Sequence, residues 1–354
     1  MKRGNIRWAA LATLLAGLAF ATLLVAHFGF ADVGKVIATA GWTGIAAVSG
    51  FQLLLEVMMG AAWWLLVRRR RPGAAVWTFI WGRLLRDAGS EVLPLSQVGG
   101  YVLGARAVML RGIDAALAAA STVVDVTVEF GSQLLYTALG LLLLWRYKPN
   151  SDLGAPVLIG LVLAVAAITG FILAQRRQLR LFARKAARLA QDWLVALAAG
   201  TEAMQSHVRA IHDDRAAMLG SFGFHLATWL ASAVEAWIAL RLLGAPLGIG
   251  AVLVIESLLY ATRSVAFLVP NALGVQEGAY IVLGGLFGLP PDVALALSLV
   301  KRARDLVLGV PVLFIWQIVE GRRLFRGGRQ RPPGGGGRQL APIPVAQRDR
   351  RVPR

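Results

Sequence analysis

The sequence contains no cysteine. Disulfides, thiolate catalysis and cysteine-ligated metal sites are therefore excluded. It also lacks the Walker A phosphate loop, the nucleophile elbow and the dinucleotide-binding fingerprint. Two of its histidines, His207 and His212, are neighbours in sequence, but their spacing of five does not place them on one helix face as metal ligands. We therefore expect no metal, no cofactor and no catalytic residue of a common enzyme class.

Acidic residues are scarce, with 19 Asp and Glu against 37 Lys and Arg in 354 residues. The basic residues collect in short stretches at residues 68–71, 176–188, 322–331 and 348–354. A basic chain can bind nucleic acid, but these stretches lack interleaved aromatic residues and no soluble domain presents them. The positive-inside rule instead assigns such stretches to the cytoplasm. We therefore predict cytoplasmic termini, membrane lipids as partners and no binding of nucleic acid.

Long apolar runs dominate the composition. Hydrophobic residues make up 57% of the chain, compared with roughly 45–50% in soluble domains, and they concentrate in runs such as residues 8–28, 42–67 and 157–174. A helical run of about 20 apolar residues matches the thickness of a bilayer core. The first run is longer than the apolar region of a signal peptide. These features predict an all-α polytopic protein of a bacterial inner membrane, with six to eight spans and an uncleaved first span.

Two segments, residues 73–112 and 248–290, are apolar but interrupted by charges, prolines and glycines. We predict helix breaks at six positions. They are Pro94, Gly99, Gly100, Pro270, Gly274 and Gly278. Half-length helices around a break are typical of re-entrant hairpins, which survive at membrane depth only where protein or a water-filled cavity covers them. Residues 248–268 could instead span the membrane fully, which would give eight spans.

The two interrupted segments resemble each other. Residues 97–101 read Gln-Val-Gly-Gly-Tyr and residues 276–280 read Gln-Glu-Gly-Ala-Tyr. Asp114 and Asp292 then each begin Asp-x-Ala-Leu-Ala, where aspartate can cap a long helix. The similarity is either chance likeness between Gly- and Ala-rich segments or an inverted-topology repeat. In secondary transporters, such repeats place a substrate site near the membrane midplane.

Several ionisable residues fall within the predicted membrane segments. Each costs roughly 2.5–3.5 kcal/mol on insertion scales, so such groups usually face the protein interior or a cavity. Asp125 and Glu129 are four residues apart and share a helix face, and Arg302 and Asp305 are three apart. We predict that these four residues line a polar cavity between the two interrupted segments. The alternative is a set of structural ion pairs that holds the helices together.

Residues 91–101 (Glu-Val-Leu-Pro-Leu-Ser-Gln-Val-Gly-Gly-Tyr) and 269–280 (Val-Pro-Asn-Ala-Leu-Gly-Val-Gln-Glu-Gly-Ala-Tyr) resemble the two signature segments of the lysylphosphatidylglycerol synthase transmembrane family, also described as flippase-like. The resemblance covers roughly residues 5–320. It is greatest to the hopanoid-biosynthesis-associated branch, in which the first motif leads to an Ala-Arg pair, here Ala105 and Arg106. The first motif departs from the commoner family form at Gly100, where a glutamate is usual.

Three regions make up the predicted organisation. Residues 1–320 form the transmembrane domain that the resemblance implies, without a soluble aminoacyl-transferase domain. Residues 175–215 carry apolar positions at helical spacing and are typical of a cytoplasmic amphipathic segment at the membrane surface. Residues 321–354 are rich in proline, glycine and arginine, and we expect a disordered basic tail.

The resemblance implies a lipid translocase in which two arginines attract a head group and neighbouring polar residues hydrogen-bond it. The residues expected to bind the head group are Glu91, Gln97, Arg106, Arg263, Gln276 and Glu277. A hopanoid or another polar lipid is the expected cargo. One alternative is a membrane enzyme that modifies a lipid, with Asp125 and Glu129 as its acid–base pair. Another is a scaffold that holds lipid-biosynthesis enzymes through residues 175–215.

Overall fold

The computed structural model of the chain describes residues 30–92, 96–152, 154–166, 192–265 and 274–327, together with residues 169 and 272. Several predicted features lie outside these residues. They are the first span, the breaks at Pro94 and Pro270, the first part of the amphipathic segment (residues 175–191) and the end of the tail. The chain divides into two compact units, residues 1–315 and residues 316–354. In the second unit, the described part is helical and ends at Gly327.

The described residues form ten helices and no strand, so the prediction of an all-α fold is confirmed. The first five helices are α1 (Phe30–Val67), α2 (Val76–Val92), α3 (Ser96–Leu110), α4 (Ala115–Tyr147) and α5 (Gly154–Ala166). The others are α6 (Asp192–Asp213), α7 (Arg215–Leu242), α8 (Ile249–Val265), α9 (Val275–Gly285) and α10 (Pro291–Gly327).

Three helical stretches of the described chain are long and apolar enough to cross a membrane: Gly41–Val67, Ala115–Tyr147 and Arg215–Leu242. The hairpin helices are shorter, with 17 residues in α2, 15 in α3 and 17 in α8. At 1.5 Å per residue, each is about 22–26 Å long, which is less than the hydrocarbon core of about 30 Å. The chain is therefore a membrane protein in which full-length spans accompany shorter paired helices. Its orientation stays a prediction.

Glycines let α2 and α3 pack closely along each other. A Cβ atom on Gly100 would lie 2.3 Å from the carbonyl oxygen of Arg86, and one on Gly104 would lie 2.9 Å from that of Gly82. Small residues at such positions allow membrane helices to approach at backbone distance. The first interrupted segment is therefore a tightly packed helical hairpin.

Three of the predicted helix breaks are wrong. Gly99 and Gly100 lie inside α3, and Gly278 lies inside α9. Gly100 serves helix–helix contact, because a residue without Cβ fits against α2 while its backbone stays helical. Gly274 lies at the start of α9 with φ 78°, a conformation that favours glycine.

The helix that follows each hairpin begins near the predicted aspartate. Asp114 caps α4, because its Oδ2 accepts hydrogen bonds from the backbone N–H groups of Ala116 (2.9 Å) and Leu117 (3.2 Å). Asp292 lies in the first turn of α10, where a negative charge favours the helix dipole. The sequence pattern therefore predicted both helix starts.

Two apolar cores stabilise opposite ends of the bundle. The first core contains Trp63, Phe79, Val108, Val124 and Ile211, from α1, α2, α3, α4 and α6. The second core is built mainly by α4, α7, α8, α9 and α10, with Leu144, Leu240, Ile255, Leu283 and Leu297.

Helices α1, α4 and α7 extend from one core to the other, and polar residues lie midway along them. On α1, Glu56 lies between Val48 of the second core and Trp63 of the first. On α4, Glu129 follows the first-core residues and precedes Leu144 of the second. The apolar cores therefore confine the intramembrane charges to the middle of the bundle.

Asp214 fixes the loop after α1 to the start of α7. Its Oδ1 lies 2.7 Å from Nη1 of Arg69 and accepts the backbone N–H of Ala217 at 3.1 Å. Desolvation acts to raise the pKa of Asp214, but the Ala217 N–H and the Arg69 guanidinium outweigh it and hold that pKa below its ordinary value. The stability that Asp214 contributes is therefore present above the ordinary carboxyl pKa. It is lost as the pH falls through the lowered value.

We predict that Gly100→Ala destabilises the protein by about 1–3 kcal/mol, because the new Cβ overlaps the backbone of α2. Gly278→Ala is the matched control, since a Cβ atom there would meet nothing within 4 Å. It should be neutral or slightly stabilising, as alanine favours a helix over glycine. Thermal unfolding in detergent measures both variants. Equal unfolding temperatures would contradict the close contact at Gly100.

Candidate functional site

A cavity of about 430 Å³ lies in the middle of the bundle, with its wall formed by α1, α2, α3, α4, α7, α8 and α10. Four arginines line it: Arg83, Arg86, Arg263 and Arg304. Five carboxylates also line it: Glu56, Asp87, Glu91, Glu129 and Asp305. Charges at membrane depth are expected to face such a cavity or one another, and these residues do both.

The first ion-pair cluster joins α2 to α4. Arg83 donates to both oxygens of Glu129, from Nη1 at 2.9 Å and from Nη2 at 2.8 Å. Arg86 donates to Asp125 at 2.9 Å and also to Glu129. The two arginines are three residues apart and the two acids are four apart, so one face of α2 meets one face of α4. We call these residues, with Asp87 and Glu56, the first cluster.

His225 adds a third helix to this cluster. Its Nε2 lies 3.0 Å from Oδ1 of Asp125, and both side chains are fully buried. Asp125 is therefore held between Arg86 on α2 and His225 on α7, behind the cavity wall. Asp125 was predicted to line the cavity, but it is fully buried and is not among the lining residues, whereas its partner Arg86 is.

The second cluster joins α10 to its neighbours. Its basic residues lie on the long helix α10, whereas in the first cluster the basic residues lie on the short hairpin helix α2. Lys301 pairs with Glu256 of α8, which also accepts the hydroxyl of Tyr280 at 2.6 Å. Arg304 donates to both oxygens of Glu235 on α7, at 2.7 and 2.6 Å. In the first cluster the arginines lie on the hairpin helix α2, and the acids that they bind on α4 are Asp125 and Glu129. Here the basic residues lie on the long helix and its partners carry the acids.

Glu91 and Arg263 connect the two hairpins. Nη2 of Arg263 on α8 lies 2.9 and 3.0 Å from the two carboxylate oxygens of Glu91 on α2. The side chains of Arg263 and Glu91 are 17% and 25% exposed, respectively, and both line the cavity. The sequence predicted both as head-group residues, and the structure brings them into direct contact across 172 positions of sequence.

A second connection passes through Gln52 of α1. Its Nε2 donates to Oε1 of Glu56 at 2.8 Å, and its Oε1 accepts from Nη1 of Arg304 at 3.1 Å. The amide therefore joins the first cluster to α10, and all three side chains line the cavity. Gln52 lies in an apolar run, four residues before Glu56. A single amide in such a run is a weak sequence signal, and Gln52 was not among the predicted site residues.

Aromatic side chains complete part of the wall. Trp229 and Tyr260 meet edge to face with their ring centroids 4.7 Å apart. The guanidinium of Arg86 lies 4.4 Å from the ring centroid of Tyr101, within the range of a cation–π contact. These rings limit the water that can reach the first cluster from α3 and α7.

The predicted residues of the second motif lie outside the described cavity wall. Nε2 of Gln276 donates to Oγ of Ser298 at 2.9 Å. Glu277 accepts from Arg302 of α10 and from Ser298, and its Oε2 accepts the N–H of Gly274 at 2.8 Å. These contacts fix the start of α9 to α10. Arg302 therefore does not line the cavity as predicted, because it pairs with Glu277.

The remaining predicted residues have different positions. Glu129 and Asp305 line the cavity. Arg106 is exposed on α3 and does not belong to the described wall. Gln97 lies in the first turn of α3, but its side chain lies outside the described residues.

Five charged residues of the cavity wall were missing from the predicted site residues: Glu56, Arg83, Arg86, Asp87 and Arg304. A usable signal was present in the complementary spacing of Arg83 and Arg86 with Asp125 and Glu129. Within the ranges that the structure covers, no three His, Asp or Glu side chains are grouped so that they could hold a metal ion. The site therefore offers charge and hydrogen bonds.

The chain matches the family model described as "Lysylphosphatidylglycerol synthase TM region" over residues 8–312. This range includes every residue that lines the cavity. No curated protein and no solved structure matches the chain.

We predict that a cysteine placed on the cavity wall reacts with a charged, water-soluble thiol reagent, and the cysteine-free chain allows a clean test. The two test variants are Ser264→Cys and Ser132→Cys. Ser264 lies on the cavity wall, whereas Ser132 is fully buried on α4. The first should react at least about tenfold faster, because the thiolate needs water and access. Equally slow labelling of both would contradict a hydrated cavity.

Proposed function

Because this chain belongs to the lysylphosphatidylglycerol synthase transmembrane family, whose function concerns membrane lipids, we propose that it moves a polar lipid between leaflets. The head group would pass through the cavity while the acyl chains stay in the bilayer. The observation that carries the proposal is the concentration of charged side chains around open space in the middle of an apolar bundle. Such a site lowers the cost of taking a polar group through hydrocarbon.

The cavity volume supports a head group as the bound part of the lipid. Its volume of about 430 Å³ lies in the lower part of the range of small-molecule pockets, about 300–1,000 Å³. Water occupies about 30 Å³ per molecule in the liquid, so the cavity has room for a hydrated head group. The acyl chains would have to remain outside.

The charges of the wall favour a head group that offers hydrogen-bond donors. Asp87 and Glu91 have side chains 26% and 25% exposed, whereas the arginine side chains of the wall are at most 17% exposed and all engage carboxylates. Amines and hydroxyls of a head group would therefore meet carboxylates first. This reverses the expectation that Arg106 and Arg263 attract the cargo. An aminoacylated phospholipid and a polar hopanoid-related lipid both carry such donors.

Arg263 and Glu91 are proposed as the contact that the head group displaces. Nη2 of Arg263 contacts both carboxylate oxygens of Glu91, and both residues line the cavity. An incoming amine or hydroxyl would bind Glu91, and a phosphate would bind the released Arg263. The pair is partly exposed, so its separation costs less than that of a fully buried ion pair.

A lipid-modifying enzyme remains the second candidate, but the geometry gives it less support. Its predicted acid–base pair is Asp125 and Glu129. Asp125 is fully buried between Arg86 and His225, and Glu129 accepts from both Arg83 and Arg86. Neither carboxylate is therefore placed to contact a substrate without first losing its present partners.

We predict that the double substitution Glu91→Gln with Arg263→Gln reduces lipid exchange between leaflets at least about tenfold, which corresponds to about 1.4 kcal/mol in the barrier. Replacing both partners avoids an unpaired buried charge. The matched control is Glu277→Gln with Arg302→Gln, an equivalent pair outside the cavity wall. The assay follows fluorescent lipids in proteoliposomes, normalised to folded protein. The lipids are phosphatidylglycerol, its lysyl derivative and a polar hopanoid.

The outcomes distinguish the candidate functions. Exchange that falls only in the cavity variant supports translocation through this site. An equal fall in both variants would refute the assignment to Glu91 and Arg263. Chemical conversion of a lipid would instead favour an enzyme, and neither exchange nor conversion would favour a scaffold.

A further inference from the structure

Glu56 has an unusual position in the first cluster. Its side chain is 5% exposed and lines the cavity from α1. Oε1 accepts from Gln52, but Oε2 accepts no hydrogen bond from the described part of the chain. A buried carboxylate oxygen without a donor is costly if it carries charge.

The nearest cation cannot supply that donor. Oε2 of Glu56 lies 3.9 Å from Nε of Arg83, which is too far for a hydrogen bond. The single N–H on Nε is directed to Oδ2 of Asp87 at 2.8 Å, and the Nη1 and Nη2 atoms donate to Glu129. The carboxyl groups of Glu56 and Asp87 therefore both lie beside Nε of Arg83, and Asp87 accepts the single N–H of that atom. A bound proton would turn Oε2 of Glu56 from an acceptor without a donor into a hydrogen-bond donor, with Asp87 as a nearby acceptor.

The balance of charge in the cluster also favours a bound proton. Two guanidinium groups, Arg83 and Arg86, face four carboxyl groups from three helices. These are Glu56 on α1, Asp87 on α2, and Asp125 and Glu129 on α4. His225 on α7 faces Asp125, on the far side of Arg86 from Glu56. The acids outnumber the guanidiniums by two, and a bound proton at Glu56 removes part of that excess.

Among the described residues, Gln52 connects Glu56 to a further charged group outside the first cluster. Arg304 on α10 donates to the Gln52 amide, and the same guanidinium binds Glu235 on α7 and Asp305 on α10. This arrangement gives Glu56 a connection to the second cluster. A change in charge at Glu56 alters the hydrogen bond from Gln52, and through it the position of Arg304.

We propose that Glu56 and Asp87 form an exchangeable proton site on the cavity wall, and that this proton couples lipid movement to a proton gradient. The coupling rests on the proposed function, but the proton site itself does not. A proton from cavity water binds Oε2 of Glu56, forms an O–H group that donates to Asp87, and removes one negative charge. Its release restores the carboxylate, so the cycle consumes only the proton gradient.

Infrared spectroscopy tests the proton site without lipid transport. At neutral pH, the wild-type protein should show a carbonyl stretching band of a protonated carboxyl group, and Glu56→Gln should lack it. The variant should fold, because the Gln amide can donate to Asp87 where the acid O–H did. Glu202→Gln, at an exposed position on α6, is the control and should retain the band. A spectrum in which Glu56→Gln equals the wild type would overturn the proposal.

A pH gradient across proteoliposomes tests the coupling. One proton per lipid and one pH unit should displace the distribution of labelled lipid between the leaflets by up to about tenfold, since one pH unit is about 1.4 kcal/mol. A protonophore should abolish the displacement. Glu56→Gln should lose the displacement of the final lipid distribution, a quantity that does not depend on the rate of exchange, and Glu202→Gln should keep it.

The two experiments separate the possible failures. If lipid exchange by the wild type does not respond to the pH gradient, the coupling is refuted and translocation remains supported. If the wild type exchanges no lipid, the proposed function fails, and the infrared band alone decides whether the proton site exists. A gradient response that survives in Glu56→Gln would refute the role of Glu56.

Discussion

Charges buried at membrane depth need partners, and this requirement organises the middle of the bundle. Arginines on α2 bind acids on α4, whereas basic residues on α10 bind acids on α7, α8 and α9. Neither the basic nor the acidic side chains of these clusters could stay in hydrocarbon without the oppositely charged side chains that they bind. The ion pairs therefore determine which helix faces meet, and the apolar cores at the two ends hold that arrangement.

The need of buried charges for partners also explains the cavity. Long charged side chains that pair across helices keep the helices apart where small apolar residues would let them close. Farther along the same hairpin, Gly82 and Gly104 bring α2 and α3 to backbone distance. Structural ion pairs and a polar cavity were alternative interpretations of the sequence, but they describe the same residues. Arg83 and Glu129 hold two helices together and also form the wall.

The sequence predicted the fold class, the two interrupted segments and the helix starts near Asp114 and Asp292, because these depend on local apolarity, breaks and the preferences of helix ends. It also selected Glu91 and Arg263. It did not distinguish a glycine that breaks a helix from one that permits contact, as at Gly100, because only the neighbouring helix decides between them. It also did not show that Glu277 faces Arg302 instead of the cavity. Which way a polar side chain turns depends on tertiary packing.

The bond between Glu91 and Arg263 has a consequence for biosynthesis. When the ribosome has made α2, the arginine that will neutralise Glu91 is still 172 residues from synthesis. The first hairpin is therefore synthesised before its ion pair with α8 can form, and the described helices α4 to α8 emerge in between. Membrane insertion and final folding are thus separate events for this chain. An isolated amino-terminal half should be a poor substrate for insertion and a good one for quality-control proteases.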